Sequence, residues 1–382
     1  VNAASSSTAP ATEDPVLVGL SGGVDSAVAA HLLLAAGHEV EAVFMDNWDR
    51  DDPWCTAAED LEDARRVAER LGIVLHYVSF ADEYRTEVFA DFLAGLRAGT
   101  TPNPDVDCNR TVKFGLLHDY ARRLGARAVA TGHYARRVDA PLGAELHRAR
   151  DLGKDQTYFL HAIGREALER SLFPLADLTK DEVRRLARRL AFPNHAKKDS
   201  TGICFIGERP FARFLAEHLA DEPGPIVDER GRVLGEHRGI AFYTIGQRRG
   251  LGIGGRRASS PAPWYVCAKD PASRTLVVTQ NPHHPLLWST AVEIDALHTL
   301  EPFAADVPEA GLGAVARYRQ PEIPCRLERT GSTTAIVRTE RPLHAPTPGQ
   351  ALVLYRGTRC LGGGRIVRAE PYTGRLVGTP GL

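Results

Sequence analysis

The chain has 382 residues, 43% of them hydrophobic and 25% charged, with 47 basic against 48 acidic side chains and a formal net charge of −1. That profile fits a soluble protein of two or three packed domains. It excludes a general pull toward polyanions, and no run approaches the ~18 apolar residues of a membrane helix. The six cysteines, Cys55, Cys108, Cys204, Cys267, Cys325 and Cys360, stand far apart with no C-x-x-C spacing. Such spacing argues against a disulfide scaffold or a zinc site, and for free thiols in a reducing, cytoplasmic compartment.

Residues 1–14 are polar and rich in Ser, Ala and Thr, and read as a disordered leader. They lack an apolar secretory segment, and their lack of arginine speaks against an organellar transit sequence. Pro15–Leu20 predicts a strand, a glycine turn follows, and Asp25–Ala36 predicts a helix ended by Gly37. His38–Met45 is the next strand, Ala57–Leu71 a helix stopped by Gly72, and Ile73–Ser79 a third strand. Glu83–Leu96 reads as helix, Thr101–Pro104 breaks regular structure with two prolines, Lys113–Leu124 is helical, and Ala128–Thr131 is a strand leading to Gly132. Helix Lys180–Leu190 and an irregular Asp199–Gly207 follow. This alternation predicts a parallel sheet covered on both faces, with ligands at the carboxyl ends of its strands. The glycine turn, Asp46 and Gly132 all fall at that edge.

Beyond Arg209, Gly, Pro and short β-branched runs dominate. Strands are predicted at Ile240–Thr244, Trp264–Ala268, Thr275–Val278, Val292–Leu297, Ala314–Arg319, Thr334–Arg338 and Gln350–Leu354. Their spacing suggests antiparallel β structure and barrels. The expected division is 15–207, 208–288 and 289–382: an α/β parallel-sheet domain, a small central β-rich domain and a β-barrel-like domain.

Ser21-Gly22-Gly23-Val24-Asp25-Ser26 joins the first strand to the first helix. Glycines let consecutive N–H groups turn inward, the helix N-terminus adds partial positive charge, and the two serine hydroxyls add donors. The nest suits a pyrophosphate. It is not a Walker A loop, because no Lys-Ser/Thr follows the glycines. SGGVDS resembles the PP-loop of the ATP pyrophosphatases, which adenylate an oxygen and release pyrophosphate. That motif alone leaves GMP synthetases, argininosuccinate synthetases and RNA-modifying enzymes open.

Cys108 lies in TPNPDVDCNR (101–110), where two prolines stiffen a loop just before a helix. A helix N-terminus and Arg110 would lower the thiol pKa from its reference of ~8.5, while Asp105 and Asp107 push it up. The polar neighbours place this cysteine off any apolar core. Cys204 lies in DSTGICFIG (199–207), where flanking glycines allow bending and apolar neighbours leave a structural cysteine equally open. The other four cysteines read as structural, although Cys55 sits in a polar loop.

SGGVDS, TPNPDVDCN and STGICFIG, in this order, closely resemble the tRNA-specific 2-thiouridylases, the MnmA family. Further matches are Met45 with Asn47-Trp48, AAEDLEDA (57–64), TGHY (131–134), KDQTYFL (154–160), TIGQRRGLGIGG (244–255) and ARY (316–318), so the resemblance runs from about Val18 past residue 350. The chain departs from the family at Asp107, where an apolar residue is expected, and at Asp46, where a lysine is usual. The resemblance implies a PP-loop ATP pyrophosphatase fold and ATP-dependent 2-thiolation of the tRNA wobble uridine. Gly19, Leu20, Ser21, Gly22, Gly23, Val24, Asp25, Ser26, Met45 and Gly132 would then contact ATP with its Mg2+, and no metal would be permanently bound. Cys108 would be the nucleophile, Cys204 the persulfide carrier and Asp105 the acid/base. Asn103 and Pro104 would line the target-base pocket, and His133, Lys154, Asp155, Gln156, Arg317, Tyr318 and Gln350 would touch tRNA. The implied partners are tRNAs for Lys, Glu and Gln and a cysteine desulfurase or sulfur-relay protein.

Further basic surface is offered by Arg184, Arg185, Arg188 and Arg189, by Lys197-Lys198 and by Arg248-Arg249. The helical arginines read equally as a solvated face balanced by Asp181 and Glu182. Two rivals stand beside this reading: a synthetase that adenylates a small metabolite, its cysteines structural, and an RNA-binding module that holds ATP without catalysis.

Overall fold

The computed structural model describes residues 14–48, 56–199, 210–253, 262–300 and 311–374. Cys55, Cys204 and all of the expected leader except Asp14 lie outside the described residues. The chain clusters into two compact units, one of Val1–Asp82, Val112–Thr157 and Gly164–Thr201, the other of Glu83–Thr111, Tyr158–Ile163 and Gly202–Leu382.

In the first unit, β1 (Val16–Gly19), α1 (Val24–Ala35), β2 (Val40–Asp46), α2 (Ala57–Leu71), β3 (Leu75–Ser79) and β4 (Ala128–Ala130) follow the expected alternation. A hairpin of β5 (Ala135–Ala140) and β6 (Gly143–Arg148) comes next, and the two-residue β7 (Ser171–Leu172) completes the parallel sheet in the order β3-β2-β1-β4-β7. β1 is apolar throughout because both of its faces are covered: Val16, Leu17 and Val18 are all but fully buried. α2 turns Leu61, Ala64, Val67 and Ala68 inward at helical spacing and stops at Gly72, whose φ of 68° ends the helix in the left-handed region. The helix Lys180–Arg189 opens on a reciprocal capping box between Thr179 and Glu182. β1 pairs with β2 on one side and β4 on the other, and the strand order reverses there. Such a switch point opens a crevice at the carboxyl ends of the two strands.

The second unit carries helices Ala90–Arg97 and Phe211–His218 and two β structures. The first is a four-stranded sheet of β8 (Gly224–Asp228), β9 (Val233–His237), β10 (Tyr265–Asp270) and β11 (Thr275–Thr279), ordered β10-β11-β8-β9. The second is a closed antiparallel barrel of β12 (Trp288–Thr299), β13 (Leu312–Val315), β14 (Ile323–Arg329), β15 (Ala335–His344), β16 (Ala351–Arg356) and β17 (Arg359–Ala369). Closure comes from β12, which pairs with both β15 and β17. Val292, Ile294, Ala314, Val337, Leu352, Leu354 and Ile366 fill its interior.

Four expectations need correction, one of them the helix expected over Lys113–Leu124, which is π-helical as far as Leu116 before regular helix from Leu117. Ile240–Thr244 is not a strand: Ile240–Phe242 forms a 3-10 turn after Gly239. The strand expected over Ala314–Arg319 ends at Val315, and the chain turns with Arg319 at φ 66°. The helix expected over Glu83–Leu96 opens as a π-helical turn, Tyr84–Phe89, before regular helix from Ala90. Among the described residues no helix is long and apolar enough to cross a membrane.

Candidate active site

In the first unit the glycine loop sits at the sheet's switch point. Gly22 has a φ of 74°, and a Cβ there would lie 2.3 Å from the Asp60 carbonyl oxygen, so only glycine fits. The Gly22 carbonyl accepts from Asn194 Nδ2 at 2.8 Å. A peptide pinned by its carbonyl points its N–H the opposite way, so Asn194 sets the direction of the Gly23 N–H. Ser26 Oγ donates to the Gly23 carbonyl at 3.0 Å and accepts from the Ser21 N–H at 3.2 Å, which closes the turn on itself. Gly132, just beyond β4, passes so close that a Cβ on it would stand 2.8 Å from the Ser26 nitrogen. A Cβ on Gly19 would stand 3.9 Å from Met45 Cε. The residues expected at the nucleotide are therefore gathered at one crevice edge.

Asp25 is held at the start of α1 by Lys180, whose ammonium reaches both carboxylate oxygens at 2.8 and 2.7 Å, and by the Tyr134 hydroxyl at 2.9 Å. Lys180 also pairs with Asp199 at 2.7 Å, and Lys154 meets the same carboxylate at 2.6 Å. Burial alone would raise the Asp199 pKa, but its lysine partners outweigh it and hold it at about 2. Sequence reasoning missed Lys180. One signal was available: a lysine in the first turn of a helix opposes the helix dipole, and Lys180, Val183 and Ala187 share the buried face.

The stretch expected to touch tRNA is largely occupied in shaping this unit. Asp155 is buried and accepts from the Ala149 N–H at 3.1 Å and the Thr157 hydroxyl at 2.7 Å. Gln156 exchanges two bonds with the Tyr134 backbone, at 2.9 and 2.8 Å. His133 lies 2.9 Å from the Thr131 hydroxyl and 5.7 Å from the Phe114 ring. Burial, with Lys113 adding to it, lowers its pKa to about 3, so its imidazole is neutral at pH 7. Of the helical arginines, Arg184 binds Asp199 and the Lys197 carbonyl, while Arg185, Arg188 and Arg189 face solvent.

In the second unit a cavity of about 260 Å³ is lined by Asn103 and Pro104 of TPNP, Arg317 and Tyr318 of ARY, and Gln350, together with Tyr158 and Phe159. The Phe159 and Tyr318 ring centroids are 4.6 Å apart, and Tyr158 lies 6.1 Å from Tyr318. Arg317 donates to the Ile245 carbonyl at 3.1 Å. An aromatic wall with amide and guanidinium groups at its edge is the kind of surface that stacks and hydrogen-bonds a splayed-out base. A neighbouring hollow of about 420 Å³ shares Thr244, Arg317 and Gln350. Tyr158, Phe159 and Thr244 lie in motifs noted in the sequence without being singled out there.

Asp105 is half-buried on the short helix Pro104–Asp107 that follows Asn103. Cys108 overturns the expectation drawn from its polar neighbours, being 1% exposed. The chain continues as π-helix from Cys108, where Cys108 and Asn109 are buried, as is Val106 on the short helix before it, and Asn109 anchors the turn by donating to the Phe159 carbonyl at 3.2 Å. Arg110 is exposed and pairs with Asp107 at 3.1 Å. Burial raises the Asp107 pKa, and Arg110 opposes that rise.

Residues 14–208 match the family described as tRNA methyl transferase HUP domain, 212–280 the tRNA methyl transferase PRC-barrel domain, and 304–366 the aminomethyltransferase beta-barrel domain. Over 353 residues the chain is 50% identical to the tRNA-specific 2-thiouridylase MnmA of Alcanivorax borkumensis, covering 92% of this chain and 96% of that protein. Identity to the protein of the same name from Pseudomonas entomophila is 49% over 374 residues, covering 96% and 100%. Among solved structures, the U34-tRNA thiolase NcsA from Methanococcus maripaludis aligns with a TM-score of 0.35 at 20% identity, over 51% of this chain and 62% of that one.

Proposed function

The chain belongs to the tRNA-specific 2-thiouridylase (MnmA) family, and from that premise we propose how its residues make 2-thiouridine at position 34 of tRNA. The single observation that carries the reading is the aromatic cavity that gathers Asn103, Pro104, Arg317, Tyr318 and Gln350. In it the target base stacks on Tyr318, with Asn103 and Pro104 at its edge. The glycine loop, from Gly19 to Ser26 with Met45 and Gly132, takes ATP, and Asp25 is its carboxylate for the magnesium that accompanies pyrophosphate.

An unactivated uridine C2 carbonyl has no good leaving group, and adenylation supplies one. The O2 oxygen attacks the α-phosphorus, the bond to the β-phosphate oxygen breaks, and pyrophosphate leaves. The terminal sulfur of a Cys204 persulfide then attacks C2, and the C2–O bond breaks as AMP departs. The Cys108 thiolate attacks Cys204 Sγ, forms a Cys108–Cys204 disulfide and frees the thiocarbonyl; in the variant route the same attack releases hydrosulfide, which adds to C2. Asp105 moves the proton at the base. A thiolate is the required form of Cys108, and a persulfide is more acidic than a thiol, so sulfur transfer needs little base assistance. A cysteine desulfurase or relay protein loads Cys204, and an external thiol reduces the disulfide.

The same reading assigns tRNAs for Lys, Glu and Gln as substrates, a cytoplasmic location and three functional segments, 15–207, 208–288 and 289–382. The test is nucleoside mass spectrometry of unmodified tRNA incubated with the protein, Mg-ATP, a desulfurase and cysteine. ATP-dependent 2-thiouridine that disappears in Cys108→Ser and in Cys204→Ser is the expected result. A folded, ATP-binding protein that yields none with a competent donor would move the assignment to a synthetase adenylating another oxygen.

A further inference from the structure

The loop that carries Asn103 and Pro104 is poor in its own hydrogen-bond donors. Pro102 and Pro104 have no N–H, so the carbonyls around them depend on donors from elsewhere. Two side chains of the β structures supply these. From β10, Lys269 sends its ammonium to the Thr100 carbonyl at 3.4 Å and the Tyr243 carbonyl at 2.9 Å. From the residue before β16, Gln350 donates to the Thr101 carbonyl at 2.7 Å, and the Thr101 N–H returns to the Pro348 carbonyl at 2.8 Å. Gly349 makes this approach possible: with φ 92°, a Cβ on it would sit 2.8 Å from the Thr101 nitrogen.

Lys269 is unusual within this brace. Among the described residues its polar partners are two carbonyls and no carboxylate, and burial draws its pKa from the ordinary lysine value down to about 8. A lysine kept from water without a counter-ion contributes little to stability, whereas its two bonds fix the loop before the base cavity. We infer that Lys269 is a positioning residue for base capture, holding the Thr100–Pro104 loop from one side as Gln350 and Gly349 hold it from the other. The assignment rests on the thiouridylase reading of the cavity.

The test uses the full chain with Lys269→Met, measured beside the wild type for thiolation kinetics, ATP affinity, melting temperature and amide hydrogen exchange at Thr101. The expected result is a roughly tenfold fall in kcat/KM for tRNA with ATP affinity unchanged, melting temperature unchanged or raised, and faster exchange at Thr101. Gly349→Ala pushes the same loop from the opposite side and should reproduce the kinetic signature, which keeps the test open if Lys269→Met fails to fold. Wild-type kcat/KM in either folded variant, or a loss in Lys269→Met that tracks melting temperature and ATP affinity, would overturn the inference. If the wild type makes no 2-thiouridine, the function assignment falls instead, and unchanged exchange at Thr101 would still remove the brace.

Discussion

Lys180 clasps both carboxylate oxygens of Asp25, at 2.8 and 2.7 Å, and so gives the glycine loop the cation that its own sequence lacks. The lysine is buried and also bonds Asp199, so one ammonium is shared between a loop carboxylate and the residue five positions before Cys204. Lys180→Met should weaken ATP binding at least tenfold. Stability should also fall, on the order of 3 kcal/mol, because an uncompensated partly buried carboxylate remains. Calorimetric titration with Mg-ATP and a denaturant melt check the two effects separately. Wild-type affinity in a folded variant would take Lys180 out of nucleotide binding.

The contact between Gly132 and the start of α1 yields a second prediction. A methyl on Gly132 would stand 2.8 Å from the Ser26 nitrogen and 2.9 Å from the Asp25 carbonyl carbon, both backbone atoms with no room to give. Gly132→Ala should displace the loop, abolish measurable ATP binding and lower stability by about 1–3 kcal/mol, the range for overpacking. Gly37→Ala is the control, since a Cβ there meets nothing within 4 Å although its φ of 85° still strains it. Its melting temperature should fall while ATP binding persists.

These two sites show what the sequence makes legible. SGGVDS between a strand and a helix locates the loop, and the apolar runs locate β1 and β4, because a parallel strand buried on both faces is apolar throughout. Lys180 and Asn194 stay hidden, because their meaning comes from contacts across more than 150 residues of sequence. β17 was missed for another reason. Its Gly362-Gly363-Gly364 reads as loop, yet a Cβ on Gly363 would lie 2.4 Å from the Leu352 carbonyl oxygen and 2.9 Å from His161 Cδ2, so these glycines are the packing requirement of a barrel strand. Cys108 was misread because local polarity says nothing about which turn of a π-helix faces inward.

Tyr318 forms the aromatic wall of the cavity with Phe159, at 4.6 Å between centroids. Tyr318→Ala removes a stacking surface worth about 1–3 kcal/mol per base, so kcat/KM for tRNA should fall roughly tenfold to a hundredfold with ATP affinity unchanged. Tyr318→Phe keeps the ring and should stay within about threefold of wild type. Equal losses in the two variants would assign the effect to the hydroxyl and remove stacking as its cause.

Acid should destabilise the protein through histidines buried in neutral form. Burial first, with nearby arginines adding to it, lowers His118 to about 4. His161 also falls to about 4, again chiefly through burial, although its bond to the Tyr158 carbonyl pulls the other way. Both values lie below the unfolded reference of 6.5, so between pH 6.5 and 4 the unfolded chain binds more protons than the folded one. The stability tied to each group is complete above pH 6.5 and drains away as pH falls toward 4, by about 1.4 kcal/mol per pH unit per histidine. His161→Gln can still donate an amide N–H to the Tyr158 carbonyl but cannot take up the proton. Urea melts of wild type and variant at pH 7.5, 6.0 and 5.0 should therefore converge as pH falls, the variant losing about one proton's worth of slope. Parallel pH profiles would mean that His161 takes up its proton as readily in the fold as in the unfolded chain, and would remove its burial as a source of acid sensitivity.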